Sequence, residues 1–339
     1  MSRIFVYEPL SAGDPQTTQA LGQGSPAHRE MLEAGRGMRD AVVGDLARIA
    51  GLGVTVAVGE QDAGHAMHGV RQAAGEGVVV LARQAAGEDA VAFVRRQALL
   101  HDLCWVVAPE SEALLLRLHE AVGEARWIGC SAAAIRIAAS KSATCAALAA
   151  AGLATPPQFA PGHRDAWIVK PDDGAGAMET RRHASRAGAQ VDARERSRRG
   201  QRTVVEPFIE GTPLSVSLIV GADLARPLAV NRQRLAIDAE GWLHDQGVQP
   251  AAIDAADGRV PLLHALAARV AAAIPGLRGY VGIDLVWNER EGPVVIEVNP
   301  RVTCAYVGLS AILRRNLAQE ILALHAPAGP AEVAADVPA

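Results

Sequence analysis

Apolar and polar positions alternate most sharply between Gly279 and Arg301. There Gly-Tyr-Val-Gly-Ile-Asp-Leu-Val-Trp and Pro-Val-Val-Ile-Glu-Val-Asn-Pro-Arg flank Asn288-Glu289-Arg290-Glu291-Gly292. The pattern predicts a β-hairpin closed by a turn of about four residues. Strand side chains alternate faces, so Glu297 and Asn299 share one face and pairing sets Asp284 opposite or diagonal to Glu297. Residues 214–220 alternate likewise, with Leu214, Val216, Leu218 and Val220 on one face and Ser215, Ser217 and Ile219 on the other. Leu228-Ala229-Val230-Asn231-Arg232-Gln233-Arg234 ends another strand in a polar cluster. Helical spacing predicts an Ala-rich helix opened by Ser140-Lys141 and stopped at Gly152, a second over 261–274 and a closing one over 308–324.

In the first third, short apolar runs alternate with helical stretches. Ile4-Phe5-Val6-Tyr7-Glu8, Val54-Thr55-Val56-Ala57-Val58 and Trp105-Val106-Val107-Ala108 read as strands. Helices are expected over 28–49, after Glu88 and over 111–122, with a flexible loop over 10–26. This order predicts an open α/β sheet of mainly parallel strands. Ligands gather at the carboxyl ends of such strands, here Glu8, Ser11 and Ala108-Pro109-Glu110. Each of these also suits a capping or turn role. No Gly-x-Gly-x-x-Gly follows the first strand, so a dinucleotide site has no fingerprint.

A chain of 339 residues implies two or three domains. The net charge of −4 argues against bulk attraction to nucleic acid. Residues 181–202 hold eight arginines but no aromatic interleaved for base stacking, and read as a solvated face. No apolar run approaches the ~20 residues of a membrane span, and the first residues lack a secretory layout. The four scattered cysteines suit a reduced, cytoplasmic compartment.

Three groups carry candidate chemistry. Two carboxylates brought together between apolar strands repel and are costly to desolvate unless a cation lies between them. Asp284, Glu297 and the amide oxygen of Asn299 form an all-oxygen set suited to magnesium; the alternative is a hairpin with one polar face in water. Arg301 emerges beside them after Pro300 as a fixed cation. Lys170 closes the apolar strand Trp167-Ile168-Val169-Lys170-Pro171 next to Asp172-Asp173-Gly174-Ala175-Gly176-Ala177. Glycines let backbone amides approach an anion and the lysine adds a point charge for phosphates. The loop lacks the Walker A ending, and an ordinary hairpin turn is the competing reading. His28, His244 and His264 are scattered, and no Ser-His-Asp or Cys-His set is visible.

The spacing Gly-x-Asp, then Glu-x-Asn-Pro-Arg about a dozen residues on, resembles the ATP-grasp superfamily of carboxylate–amine and carboxylate–thiol ligases. The resemblance covers nearly the whole chain in order: Lys141, Lys170 with its glycine loop, the hinge Glu206-Pro207-Phe208-Ile209-Glu210, Asp284, then Glu297, Asn299 and Arg301. It implies an α/β ATP-grasp fold. Residues 1–126 would form a pre-ATP domain, 127–210 a small lid lobe, 211–326 a C-terminal lobe with the metal hairpin, and 327–339 a disordered tail. It implies ATP held by Lys141, Lys170, Gly174, Ala175 and Gly176, and adenine read by the hinge backbone from Glu206 to Glu210. Two Mg2+ ions would sit on Asp284, Glu297 and Asn299, with Mn2+ as an alternative. Asn231 and Arg232 would lie near the transferred phosphate, and Arg301 would stabilise the tetrahedral intermediate. Many relatives hold the ribose with an acid four residues past Ile209; that position is Pro213 here, leaving Glu210 as the substitute.

Phe-Val-Tyr-Glu at the start, Met-Leu-Glu-Ala-Gly-Arg-Gly-Met-Arg-Asp-Ala-Val-Val-Gly-Asp and Ala108-Pro109-Glu110-Ser111 look like the tyramine–glutamate ligase group. That resemblance implies small-molecule substrates, glutamate and tyramine or a related amine, joined in methanofuran-type cofactor biosynthesis. Tyr7, Tyr306 and the Ala108-Pro109-Glu110 strand end would line the acceptor pocket, Glu8 or Glu110 would attract its ammonium, and Arg36, Arg232 and Arg301 would serve the acid. A ligase for another pair, a kinase and a non-catalytic nucleotide-binding regulator remain as alternatives, and a homodimer is left open.

Overall fold

In the computed structural model, which describes residues 2–60, 62, 64, 79–160, 165–174, 176–222 and 224–325, the chain builds three sheets. Ala175 of the expected glycine loop and the 327–339 tail lie outside the described residues. The first sheet contains β1 (Ser2–Tyr7), β2 (Leu52–Ala57), β3 (Val79–Ala82), β4 (Leu103–Val106) and β5 (Trp127–Ile128), in the order β3-β2-β1-β4-β5 with every pairing parallel. Parallel sheets need both faces covered. Ile4 and Val6 pack with Val42 and Leu46 of the helix Pro26–Ala47, while Phe5 and Tyr7 pack with Phe93, Leu115 and Leu118 from two helices on the other side. Strand order reverses between β1 and β4, which opens a crevice at their carboxyl ends, where Glu8 and Glu110 follow.

Two local departures from the sequence pattern have clear causes. The expected loop over 10–26 contains a helix, Pro15–Leu21, because Asp14 accepts from the Thr17 amide at 2.9 Å and Pro15 fills the first helical position. The expected helix over 111–122 begins with a separate turn, Ser111–Ala113, because Glu112 and Ala113 adopt left-handed backbone at φ 51° and 55°.

The second sheet is small and antiparallel: β6 (Trp167–Pro171), β7 (Arg181–His183) and β8 (Thr203–Pro207) in the order β7-β6-β8. With the helix Arg186–Arg198 it buries a core of its own around Trp167, Val169 and Ala189. The arginine-rich stretch is more than a solvated face. Arg181 and Arg196 lie over Trp242 at 5.1 and 5.4 Å, Arg182 over Phe208 at 5.1 Å and Arg186 over Trp167 at 5.0 Å.

The third sheet joins β9 (Thr212–Val220), β10 (Ala225–Ile237), β11 (Leu243–Gln249), β12 (Gly279–Asn288) and β13 (Gly292–Asn299), all antiparallel, in the order β11-β10-β9-β12-β13. Leu214, Val216, Leu218, Val281, Ile283 and Leu285 form one apolar face, in a core shared with the helix Arg259–Ala273. The opposite face carries Ser215, Ser217, Asn231, Asp284 and Glu297. The β12–β13 turn is shorter than expected, since Asn288 and Gly292 themselves pair and the Asn288 side chain accepts from the Arg290 and Glu291 amides at 2.9 Å. Gly211 leads into β9 where an added Cβ would lie 2.2 Å from the Trp287 carbonyl, so only glycine fits. The closing helix is split into Leu309–Leu313 and Leu317–Ala323 by left-handed Arg314. Among the described residues no helix is long and apolar enough to cross a membrane.

Candidate active site

Cross-strand register lays a polar row over the third sheet. Asn231 pairs with Ser215, Ser215 with Asp284 and Asp284 with Glu297, so all four share one face. Ile296 is an extra residue in β13 between the pairs Leu285–Val295 and Asp284–Glu297. Such a bulge re-aims the neighbouring side chain. Asn299 lies two residues past Glu297 and its Nδ2 donates to Asp284 Oδ2 at 3.1 Å. Burial, then the charge of Glu297, push the Asp284 carboxyl up to about 7. Burial likewise raises Glu297, against the lowering effect of Lys141 and Lys170. Two raised carboxyls side by side, with an amide oxygen adjacent, are the donor set that a hard divalent cation relieves. The described residues contain no cluster of three or more His, Cys, Asp or Glu set for a metal. The fit rests on two carboxylates and the amide.

Both candidate lysines approach this row from outside the third sheet, one from a helix and one from β6. The helix Lys141–Ala150 starts at Ser140, whose hydroxyl accepts from the Ala143 amide at 3.2 Å. The Lys141 ammonium lies 3.7 Å from Glu297 and donates to the Gly174 carbonyl at 3.1 Å. Lys170 at the end of β6 pairs with Glu206 of β8 at 2.5 Å, both buried. Burial acts to lower the Lys170 pKa, but Glu206 and then Glu297 outweigh it, and the net direction is upward. Gly174 and Gly176 have φ 107° and 68°, conformations that side-chain-bearing residues rarely adopt.

Asp172, which the sequence reading passed over, ties these parts together. Its carboxylate accepts from the Ser142 amide, the Ser140 hydroxyl and Arg202, each at 2.9 Å, and its carbonyl accepts from the Lys141 amide at 2.8 Å. The lysine helix is thereby fastened to the end of the lysine strand. An acid before a glycine loop was the available signal. Asp245 on β11 was also missed; its charge contributes to raising Asp284.

Other expected residues are placed as follows. Within the hinge, Pro207 and Ile209 are buried, Phe208 is half-buried and Glu210 is exposed. The Phe208 amide already donates to the Ala166 carbonyl at 2.9 Å and the Glu210 carbonyl accepts from Asn288 at 2.8 Å. Asn231 is fully buried: its Nδ2 donates to the Ser215 and Ser217 hydroxyls at 3.1 and 3.0 Å, and its Oδ1 accepts from the Ala251 amide at 3.0 Å. Arg232, the next residue, alternates to the far face and is exposed. Tyr7 and Tyr306 are fully buried, the latter donating to Asp45 at 2.6 Å, so neither lines an open acceptor pocket. Glu8 is closed on itself, accepting from the Leu10 and Ser11 amides at 3.2 and 2.7 Å. Arg36 is held by Glu33 and Asp62. Arg301 grips Glu110 through two hydrogen bonds of 2.9 and 3.0 Å.

The sequence matches two family models, one described as an ATP-grasp domain over residues 138–305 and one as a pre ATP-grasp 3 domain over 70–135. The chain is 32% identical over 217 residues to the tyramine–L-glutamate ligase of Methanocaldococcus jannaschii, a match covering 61% of this chain and 58% of that protein's own length. Among solved structures it resembles an ATP-grasp superfamily protein from Archaeoglobus fulgidus, with a TM-score of 0.64 at 21% identity, covering 95% of this chain and 88% of the other. It also resembles the D-alanine–D-alanine ligase of Bacillus anthracis complexed with ATP, with a TM-score of 0.61 at 13% identity, covering 96% and 97%.

Proposed function

Because the chain belongs to the ATP-grasp superfamily, we propose that it is an ATP-dependent carboxylate–amine ligase acting through an acyl phosphate. The observation that carries this reading is the meeting of the lysine helix, the glycine loop after β6 and the β12–β13 hairpin, where Lys141 stands 3.7 Å from Glu297 and donates to the Gly174 carbonyl at 3.1 Å. The terminal phosphoryl group of ATP passes to a carboxylate oxygen of the acid, giving an acyl phosphate and ADP. The free-base amine then attacks the acyl carbon. Its proton leaves to water, the C–O bond to phosphate breaks, and the amide and phosphate remain.

In this reading Lys141, Lys170 and the amides around Gly174 and Gly176 hold the phosphates. Asp284, Glu297 and Asn299 hold a divalent cation, which when bound neutralises phosphate charge. The number and identity of ions follow the superfamily pattern of two Mg2+, with Mn2+ as the substitute. The small lobe, with its separate core, acts as a lid that excludes water so that the acyl phosphate reaches the amine. The acid is glutamate and the amine tyramine or a close phenolic relative, as the name of the Methanocaldococcus jannaschii relative suggests. We propose further that the product serves methanofuran-type cofactor assembly, as the sequence resemblance implies.

The test is ADP release from Mg·ATP with acid alone, amine alone and both together. A ligase needs both for sustained turnover. Equal ADP release with acid alone would favour a kinase, and none under any condition would leave a nucleotide-binding regulator.

A further inference from the structure

We propose that Glu110 is a positioning residue for Arg301, an inference that rests on the ligase reading. A guanidinium carries five N–H donors. Arg301 spends two of them, on Nε and Nη2, on the two oxygens of Glu110 at 2.9 and 3.0 Å, and a third, on Nη1, on the Val302 carbonyl at 3.1 Å. Among the described residues the other two, one on each terminal nitrogen, have no partner. The fork is thus gripped along one edge and left with donors for a developing oxyanion, the arrangement a preorganised site requires. Both side chains are buried, at 8% and 3% exposure, so water does not compete for the grip.

Glu110 comes from the first sheet, 191 residues away in sequence. It follows β4 at the point where strand order reverses. Just past it, Glu112 and Ala113 hold successive left-handed conformations, which persist only when the surroundings impose them. The surroundings here are the glycine loop. The Glu112 amide donates to Asp173 at 3.0 Å, and Gly174 approaches Ser111 so closely that an added Cβ would lie 3.3 Å from its hydroxyl. The same short segment therefore touches the candidate phosphate loop and fixes the candidate catalytic arginine. This placement also removes Glu110 as an attractor for the incoming ammonium, since its charge is paired with Arg301 and its side chain is buried.

A pin that merely joins two parts of the fold predicts something different from a positioning role. Without oriented donors the tetrahedral step slows, while acyl phosphate formation, which relies on the lysines and the carboxylate pair, continues. The stranded acyl phosphate is then hydrolysed to acid and phosphate. The experiment compares wild type, Glu110→Gln and Glu110→Asp in ADP release and amide formation, using L-glutamate with tyramine or whichever acid–amine pair turns over fastest. Melting temperatures confirm folding, and Glu110→Asp serves if Glu110→Gln does not fold. Wild type should form one amide per ADP. Glu110→Gln should keep releasing ADP while amide per ADP falls about tenfold or more, and Glu110→Asp should fall between. Equal loss of ADP and amide, or an unchanged ratio in both variants, overturns the proposal. If the wild-type protein releases no ADP with any pair, the ligase reading fails and takes this inference with it.

Discussion

Asp284 faces Glu297 directly across the β12–β13 ladder, with the extra residue Ile296 next to Glu297 and the Asn299 amide donating to Asp284 at 3.1 Å. The pair is unfavourable as two bare charges and favourable around a cation. Glu297→Gln and Asn299→Ala are therefore each expected to lower kcat by more than about tenfold while leaving the fold intact, since each 1.36 kcal/mol of lost stabilisation is a factor of ten. Steady-state rates with circular dichroism as a fold check measure this. A wild-type kcat in either variant would remove the metal assignment.

Lys170 and Glu206 form a buried pair, and this alters what a Lys170 substitution reports. Removing the lysine alone strands a buried carboxylate, which costs about 3–5 kcal/mol. Lys170→Met should thus both raise the KM for ATP strongly and lower the melting temperature. Lys170→Met/Glu206→Leu should recover most of the stability and none of the ATP affinity. Recovery of both in the double variant would reduce Lys170 to a structural partner.

These two cases show what the sequence could and could not reveal. The hairpin was legible because apolar alternation is local and Glu297 and Asn299 are two apart. The lysine strand was legible as a local apolar run closed by a charge, and so was the start of the helix at Ser140-Lys141. The partners of those residues were not. Lys170–Glu206 and Arg301–Glu110 join segments 36 and 191 positions apart, and no local pattern encodes which carboxylate meets which cation. Asn231 and Arg232 looked like one polar cluster, yet strand alternation sends one into a buried hydroxyl network and the other to the surface. Tyr7 and Tyr306 were read as amphipathic pocket walls, but both serve in cores.

The sheet proposed as the lid is fastened at its edge. The Arg182 amide donates to the Gly241 carbonyl at 2.7 Å and the Leu243 amide to the Thr180 carbonyl at 2.9 Å, joining β7 to the tip of the β10–β11 hairpin. Gly241 has φ 89°, and an added Cβ would lie 2.3 Å from the Arg182 carbonyl. Gly241→Ala should break this join. Backbone hydrogen exchange over 180–183 is expected to quicken in the variant, and the slowing of exchange over 172–178 on adding Mg·ATP to become smaller. Identical exchange in the two proteins would mean that the hairpin tip does not hold the proposed lid.

Burial pushes the Cys104 and Cys130 thiols up to about 12 and Cys145 up to about 11. A thiol reacts as its thiolate, so all three stay protonated and inert at pH 8. Cys304 is half-buried and its pKa is also raised, by burial first. Iodoacetamide at pH 8 should label Cys304 before the others in the folded protein, and all four once the chain is unfolded. Mass spectrometry of the peptides reads the order; early labelling of Cys130 would contradict the packing of the first and third sheets.

Substrate choice is read from paired acids and amines. Glutamate with tyramine should give the fastest amide formation among pairings of glutamate, aspartate or alanine with tyramine, tyrosine, ammonia or a second glutamate. Aspartate differs from glutamate by one methylene, a difference worth about 10–200-fold in a fitted pocket, so a preference of at least about tenfold is expected. The acceptor's ring needs an apolar wall with a polar end, and the structure rules out two residues that the sequence suggested for it. Tyr7 and Tyr306 are fully buried, so Tyr7→Phe should leave the ranking of amines unchanged. A changed ranking in Tyr7→Phe would bring that hydroxyl back into the site. A clear preference for ammonia or an aliphatic amine in the wild-type protein would end the tyramine assignment while leaving the ATP-dependent ligase intact.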